Sequence, residues 1–194
     1  MDEVSRTLDA YSTDADAYVE KYRSESVAAR YGAAFRDAVE GLDGERVLDV
    51  GCGPGADVET FLNTGYDVTG LDLTPGFLQA AADRHPEASF VHGDMRRLPF
   101  DEGTFDGLWS SASFLHVPRA EAAGTLREFR RVLRPESVVY LSVKSSERAT
   151  HDANDRHFVY YRPEEVTDLF SENGFETTRV ETTDNWVAVL AVPN

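Results

Sequence analysis

Cysteine is almost missing from this chain: Cys52 is the only one. A single thiol excludes an internal disulfide and a cysteine-built metal cluster. No His/Asp/Glu group at metal-ligand spacing takes its place, so no metal is expected. Lysine is nearly missing as well. Lys21 and Lys144 are the only lysines among 19 basic residues, against 35 acidic ones, and the formal net charge is −16. Affinity for nucleic acid rests on clustered Lys and Arg that neutralise phosphates, so this balance argues against a nucleic-acid partner. The densest basic group, Arg127, Arg130, Arg131 and Arg134, falls amid acids on one expected helix. There it reads as a surface whose basic last turn complements the helix dipole. Long apolar runs are lacking too. No stretch approaches the roughly 18 consecutive apolar residues of a membrane-crossing helix. The N-terminal MDEVSRTLDA is polar and acidic, unlike a signal peptide. These absences predict a cytoplasmic protein with no membrane partner. The acidic, lysine-poor composition reads as a halophile-like surface, solvated and adapted to high salt, where self-repulsion is screened. Repulsion of anionic partners is the sharper reading.

What remains suits one domain: 194 residues, 41% of them hydrophobic, can bury a sizeable core. Residues 14–42 read as one or two helices with Tyr18, Tyr22, Tyr31 and Phe35 on the apolar side, and Gly41–Gly44 as a turn. Short β-branched runs follow at Arg46–Val50, Asp67–Leu71, Ser89–His92, Phe105–Ser110 and Val138–Val143. Helical periodicity lies between several of them, at Pro75–Arg84 and Arg119–Leu133. Pro118 suits a first helical turn and Pro135 a stop. Strands alternating with helices predict a doubly wound α/β fold, a Rossmann-like, mostly parallel sheet with helices on both faces. At the C-terminal end a helix over Pro163–Glu172 precedes strands at Phe175–Glu181 and Trp186–Val192. Their connection is too short for a crossover, so they form an antiparallel hairpin at one end of the sheet.

The chemistry is concentrated in VLDVGCGPGADVETFL, residues 47–62. Ligands of such folds bind at the carboxyl ends of the strands. After the first strand stand Asp49, Gly51, Gly53 and Gly55; the second ends at Asp72, the third at Asp94, and the fourth in Ser110 and Ser111. Gly51-x-Gly53-x-x-Ala56, with Asp72 about 20 residues on, formally fits a dinucleotide fingerprint. Two features oppose a diphosphate. Pro54 has no N–H to offer it, and Asp49 would repel it. An ammonium-bearing ligand with a ribose diol and no phosphate suits the acidic strand ends better.

At these residues the chain resembles the class I S-adenosylmethionine-dependent methyltransferases. VLDVGCGPG is similar to their first motif, and GLDLTPGFL to the acidic turn after their second strand. VHGDMRRLPFDEGTFDGLWSSASFLHV resembles the third and fourth strands with their loop. RVLRPESVVYLSV and YYRPEEVTDLFSENGFETTRVE resemble the later helices and strands. The resemblance spans nearly all of residues 46–194. It implies S-adenosylmethionine as cofactor and S-adenosylhomocysteine as product. Gly51, Gly53 and Gly55 would let the loop pass close to the methionyl part. Asp49 would bind the amino end and Asp72 the ribose hydroxyls. Leu73 would pack on the adenine, Asp94 would accept from its amino group, and Met95 would cover the ring. Ser110 or Ser111 would line the methionyl end. Cys52 reads as a small packed residue, not a nucleophile.

The acceptor side carries weaker signals. Residues 1–44 are expected to form a helical cap over a methyltransferase domain of residues 45–194, with Tyr11, Tyr18 and Tyr22 as lid residues. Tyr18 is also a candidate catalytic group. Lys144–Tyr161 is too long and polar for a simple connection and reads as a functional loop. It offers His151, Arg156, His157, Tyr160 and Tyr161. Arg156 is suited to an acceptor carboxylate and His157 to a base, while His116, just past the serines, is the best-placed base by topology. Packing and solvated-loop roles remain open for all of these. The Asn/Asp-Pro-Pro-aromatic motif of many amino methyltransferases is replaced by SSAS at residues 110–113. The expected activity is therefore methyl transfer to an oxygen or nitrogen of a small molecule. A nicotinamide-dependent oxidoreductase and a non-catalytic cofactor-binding module are the alternatives.

Overall fold

The computed structural model describes residues 3–42, 44–146, 156–183 and 185–194. Seven strands form one sheet: β1 (Arg46–Val50), β2 (Asp67–Asp72), β3 (Ser89–His92), β4 (Phe105–Ser111), β5 (Leu133–Lys144), β6 (Phe175–Thr182) and β7 (Trp186–Pro193). Their order is β3-β2-β1-β4-β5-β7-β6. The first five are parallel, and β7 pairs antiparallel with both β5 and β6. This is the expected doubly wound sheet with a C-terminal hairpin. Strand order reverses between β1 and β4, which opens a crevice above their carboxyl ends.

Strand alternation explains the two-sided core. Leu48, Leu108, Val139 and Leu141 face one layer, with Phe129 and Phe170 from helices α7 (Arg119–Val132) and α8 (Pro163–Glu172). Their neighbours Val47, Trp109, Val138 and Tyr140 face the other layer, with Phe35 and Phe61. Those two rings come from α4 (Ala33–Gly41) and α5 (Ala56–Thr64). The helix α6 (Pro75–Arg84) begins with proline at its first turn and follows β2 directly. Gly107 is required by this packing: a Cβ there would lie 2.8 Å from the Phe35 ring.

Two expectations need correction. Residues 14–42 form three helices instead of one or two, α2 (Ala15–Tyr22), α3 (Val27–Tyr31) and α4, and a further helix, α1 (Glu3–Thr13), precedes them. The second helix ends at Tyr22, and Ser26 caps the start of the third, accepting from the Ala29 N–H. β5 also starts five residues before the expected Val138. Leu133 pairs with Phe105, and the register then shifts so that Gly107 meets Val138. Pro135, which cannot donate to a ladder, sits in that irregular stretch.

The arginine cluster is consumed by structure. Arg127 reaches Asn173 Oδ1, Arg130 the Gly174 carbonyl, Arg131 Glu128 with the Leu98 and Phe100 carbonyls, and Arg134 Asp106. No helix among the described residues is long and apolar enough to cross a membrane.

Candidate functional site

A cavity of about 850 Å³ lies over the carboxyl ends of β1, β2 and β4, with α1 to α3 forming its outer wall. Its floor is the glycine loop. The Gly51 and Cys52 N–H groups donate to the Leu71 carbonyl at 2.7 and 3.1 Å, which folds the loop across β2. Gly51 has φ +77°, and a Cβ there would sit 2.2 Å from the Ser113 Cβ. Gly53 has φ +52° with open space beside it. The first glycine therefore serves close packing, and the second leaves room on the cavity side. Gly55, also left-handed, backs onto Ala81 and His85 and does not line the cavity.

Three carboxylates converge there. Asp49 is 2% exposed, and its Oδ2 has no hydrogen-bond partner. Burial, then the neighbouring Asp57 and Asp72, push its carboxyl well above the usual range. Asp72 is better satisfied. Its Oδ2 accepts from the Gly53 N–H at 2.9 Å and its Oδ1 from the Thr74 N–H at 2.8 Å. It thus pins the loop of one strand to the turn of the next. Its carboxyl is still raised by burial, against the lowering effect of those bonds.

Asp57 was not singled out from the sequence. It accepts from Ser26 Oγ at 2.8 Å, the Ala28 N–H at 2.9 Å and Trp109 Nε1 at 2.8 Å. One carboxylate in the first turn of α5 therefore fastens α3 to the sheet. Asp57→Ala strands a buried indole N–H and a helix N-terminus, which costs about 1–3 kcal/mol for each donor left unpaired. Urea unfolding should show that loss; a midpoint equal to wild type would deny the clamp.

On the next strand end, Asp94 holds Arg96. Its two oxygens accept from Arg96 Nε at 3.0 Å each, and Oδ2 from Nη2 at 2.6 Å. Arg96 also reaches Glu121 at 2.6 Å. Asp94, Met95 and Leu73 all line the cavity. The Leu73 carbonyl accepts from His92 Nε2 at 3.1 Å, which fixes that turn. Of the serines, Ser111 lines the cavity and Ser110 does not. Ser110 is fully buried and bonds Ser113 Oγ at 2.9 Å. Ser113 in turn donates to the Val50 carbonyl at 2.7 Å, so the Ser110 hydroxyl is the donor between them. Ala112, between the cavity-lining serines, has φ +53°, a conformation costing roughly 1–2 kcal/mol for an L-residue. The Ser142 hydroxyl accepts from its N–H at 3.1 Å.

The far end of the cavity is aromatic and basic. His116 Nδ1 lies 2.7 Å from the His157 carbonyl, which can only accept, so this nitrogen carries the proton. Nε2 is then an acceptor, and the Tyr11 hydroxyl, 3.1 Å away, donates to it. Arg156 Nη1 donates to Tyr11 Oη at 3.2 Å. Burial holds His116 down at about 4 against its bond to the His157 carbonyl, and burial pushes Tyr11 up to about 12. Both are neutral near pH 7. The Arg156 guanidinium lies among the rings of Tyr11, Tyr18 and Phe158, at 5.3, 5.5 and 5.0 Å.

Several expected acceptor residues do not reach the cavity. Tyr18 is buried, edge-on to Tyr11 at 4.9 Å and stacked on Tyr22 at 5.9 Å, so it supports the wall without lining it. His157 enters the network through its backbone: its N–H donates to Thr7 Oγ1 and its carbonyl accepts from His116, while its ring turns to Glu3. Tyr160 lies outside the lining, its carbonyl held by Arg119. Tyr161 is buried against Phe114 and under Arg119. Tyr11, Tyr22, Arg156 and His116 do line the cavity. So do Phe158 and Trp186, which no motif singled out. His151 lies outside the described residues.

Residues 47–136 match the family described as "Methyltransferase domain". A demethylmenaquinone methyltransferase of Renibacterium salmoninarum is 37% identical over 99 residues, 51% of this chain and 41% of that protein. The chain spans half or less of the length of curated relatives that it matches. Among solved structures, the magnesium protoporphyrin IX methyltransferase of Synechocystis PCC 6803 with bound SAM superposes with a TM-score of 0.75 at 18% identity. It covers 100% of this chain and 98% of its own. A 1,6-didemethyltoxoflavin-N1-methyltransferase of Burkholderia thailandensis with bound S-adenosylhomocysteine gives 0.73 at 21% identity, covering 100% and 92%. The two structures agree with this chain in fold, and the sequence match runs from β1 into β5, across the carboxyl ends of β1 to β4. The chain carries, over residues 47–136, a methyltransferase domain, and it has the fold of S-adenosylmethionine-dependent methyltransferases.

Proposed function

We propose that this chain transfers a methyl group from S-adenosylmethionine to an oxygen or nitrogen of a small-molecule acceptor. The observation that carries the reading is the buried, unpartnered Asp49 Oδ2 at the head of the glycine loop. An orphaned carboxylate oxygen beside two further carboxylates is costly unless a cation completes it. The ammonium of the cofactor supplies that cation, and the open space beside Gly53 leaves room for the chain that bears it. A dinucleotide would bring a diphosphate to the same acidic place.

The remaining roles follow from position. Asp72 is oriented by two backbone N–H groups and has lone pairs left for the ribose hydroxyls. Leu73 and Met95 offer apolar surface to the adenine, and Asp94, held by Arg96, stands beside them. Ser111 faces the methionyl end. When bound, the cofactor supplies a methyl group already activated on a sulfonium, so the protein's work is to align the acceptor and exclude water. Tyr11, Tyr22 and the helices α1 to α3 form the cap that does so, while α4 packs in the core under the sheet. His116, neutral and with Tyr11 donating to its only free lone pair, positions Tyr11 at the cavity wall. The relatives named above take their names from a demethylmenaquinone, a magnesium protoporphyrin and a didemethyltoxoflavin, which supports a small-molecule acceptor here.

A thermal melt in high-salt buffer tests the reading. S-adenosylmethionine and S-adenosylhomocysteine, each at about 100 times its dissociation constant, should stabilise the protein by about 2.7 kcal/mol. That is a rise of about 5–10 °C for a domain of this size. NAD should give none. A rise with NAD alone would transfer the site to an oxidoreductase. Cofactor binding with no turnover on any acceptor would favour a non-catalytic module.

A further inference from the structure

Tyr11, on α1, is where the cap meets both sides of the cavity. Its ring lies edge-on to Phe77 and to His116, at 5.6 Å in each case. Phe77 belongs to α6, behind the Asp72 turn, and His116 follows the serines at the end of β4. Tyr18 closes a third side, edge-on at 4.9 Å. Contacts from three sides hold the ring in place.

A phenol has one hydrogen to donate and two lone pairs to accept with. The hydrogen of Tyr11 is already committed. His116 Nδ1–H donates to the His157 carbonyl at 2.7 Å, so Nε2 can only accept, and the Tyr11 O–H serves it at 3.1 Å. One lone pair takes the Arg156 Nη1–H at 3.2 Å. Among the described residues no other donor reaches this oxygen, and Tyr11 lines the cavity. A molecule brought against the second lone pair therefore gains only if it donates. One that can only accept leaves the lone pair unmatched, at the desolvation cost of a polar atom. The walls nearby are apolar or aromatic: Phe77, Leu115, Phe158 and Trp186 line the same cavity and suit a flat ring. Resting on the methyltransferase reading, we infer that Tyr11 Oη is the specificity-determining contact of the acceptor site, and that it accepts a hydrogen bond from an aromatic hydroxyl or a ring N–H. Such a group carries a single hydrogen on its heteroatom. Methylation at that atom removes the hydrogen and with it the contact, so Tyr11 separates an acceptor from its methylated form.

The test is calorimetric titration of the intact protein saturated with S-adenosylhomocysteine. The probes are phenol against anisole, and indole against 1-methylindole. Wild type should bind each hydrogen-bearing probe at least about fivefold more tightly than its methylated partner. Tyr11→Phe should bring both ratios to about one or below, because the methyl group adds apolar surface and no lone pair is left to read the hydrogen. His116→Leu should give a gain that lost packing does not. It releases the Tyr11 O–H, so quinoline, which only accepts, should bind this variant at least about threefold more tightly than wild type. A cooperative thermal melt shows that each variant folds, and if one does not, the other decides. Equal binding within either wild-type pair, ratios that survive Tyr11→Phe, an unchanged quinoline affinity in His116→Leu, or no binding of any probe overturns the inference. Failure of the wild type to bind S-adenosylhomocysteine strikes the methyltransferase reading instead, and the same ratios taken without it then decide the Tyr11 contact alone.

Discussion

Asp49→Asn should make the cofactor-free protein more stable and the cofactor weaker-binding, in a single substitution. The two effects share one cause. In the free protein Asp49 is buried with an unpartnered oxygen beside Asp57 and Asp72, so its charge is a cost. Asn removes the charge at nearly constant volume and raises the melting temperature. Bound cofactor turns the same charge into a partner for an ammonium. Asn then forfeits a charge-assisted contact, and affinity for S-adenosylhomocysteine falls at least about tenfold, or about 1.4 kcal/mol. The pH dependence carries the sign. A carboxyl raised in the folded state binds its proton more tightly there than in the unfolded chain. The wild-type free protein therefore loses stability as pH rises from the ordinary aspartate range through the raised one. A cationic ligand displaces that proton, so wild-type affinity increases with pH over the same window. The Asn variant should be flatter in both respects. Melts and titrations carried upward in pH from the ordinary aspartate range would show this. Unchanged affinity in Asp49→Asn would remove Asp49 from the cofactor site.

Asp72→Ala should weaken S-adenosylhomocysteine at least about tenfold, because two charge-assisted bonds to the ribose are lost. Here the structure adds a second route to the same loss. Asp72 also accepts from Gly53 and Thr74, and its removal leaves both N–H groups unpaired beside the glycine loop. The two routes separate with a 2′,3′-dideoxy analogue of the ligand. Against wild type the analogue should bind weakly. Against Asp72→Ala it should lose little more, since the contact is already gone. If the substitution weakens both ligands by the same factor, Asp72 acts through the loop alone and its ribose role fails.

Legibility was uneven, for physical reasons. Asp49, Asp72 and Asp94 were readable because each lies within two residues of the end of a strand in a parallel sheet, and strand ends in such sheets gather on one edge. Asp57 was not, because nothing in the sequence places Ser26, Ala28 and Trp109 around it. Its one local trait, an acidic residue in a first helical turn, is common to many helices. Tyr18, Tyr160 and Tyr161 were read as site residues from their type and region. Tertiary packing turned them to the wall, to an arginine and into the core. His116 was placed near the cavity, but it accepts from Tyr11 and donates to the His157 carbonyl, 105 and 41 residues away in sequence.

The sequence alone determined the sheet, its C-terminal hairpin and the acidic, glycine-bearing edge. These depend on hydrophobic periodicity, turn residues and strand ends, all short-range features. Only the tertiary structure decided which groups are charged, which are already satisfied and which face the cavity. Those properties depend on burial and on partners distant in the chain: an unpartnered oxygen on Asp49, a neutral His116 behind Tyr11, and Arg156 set among three aromatic rings.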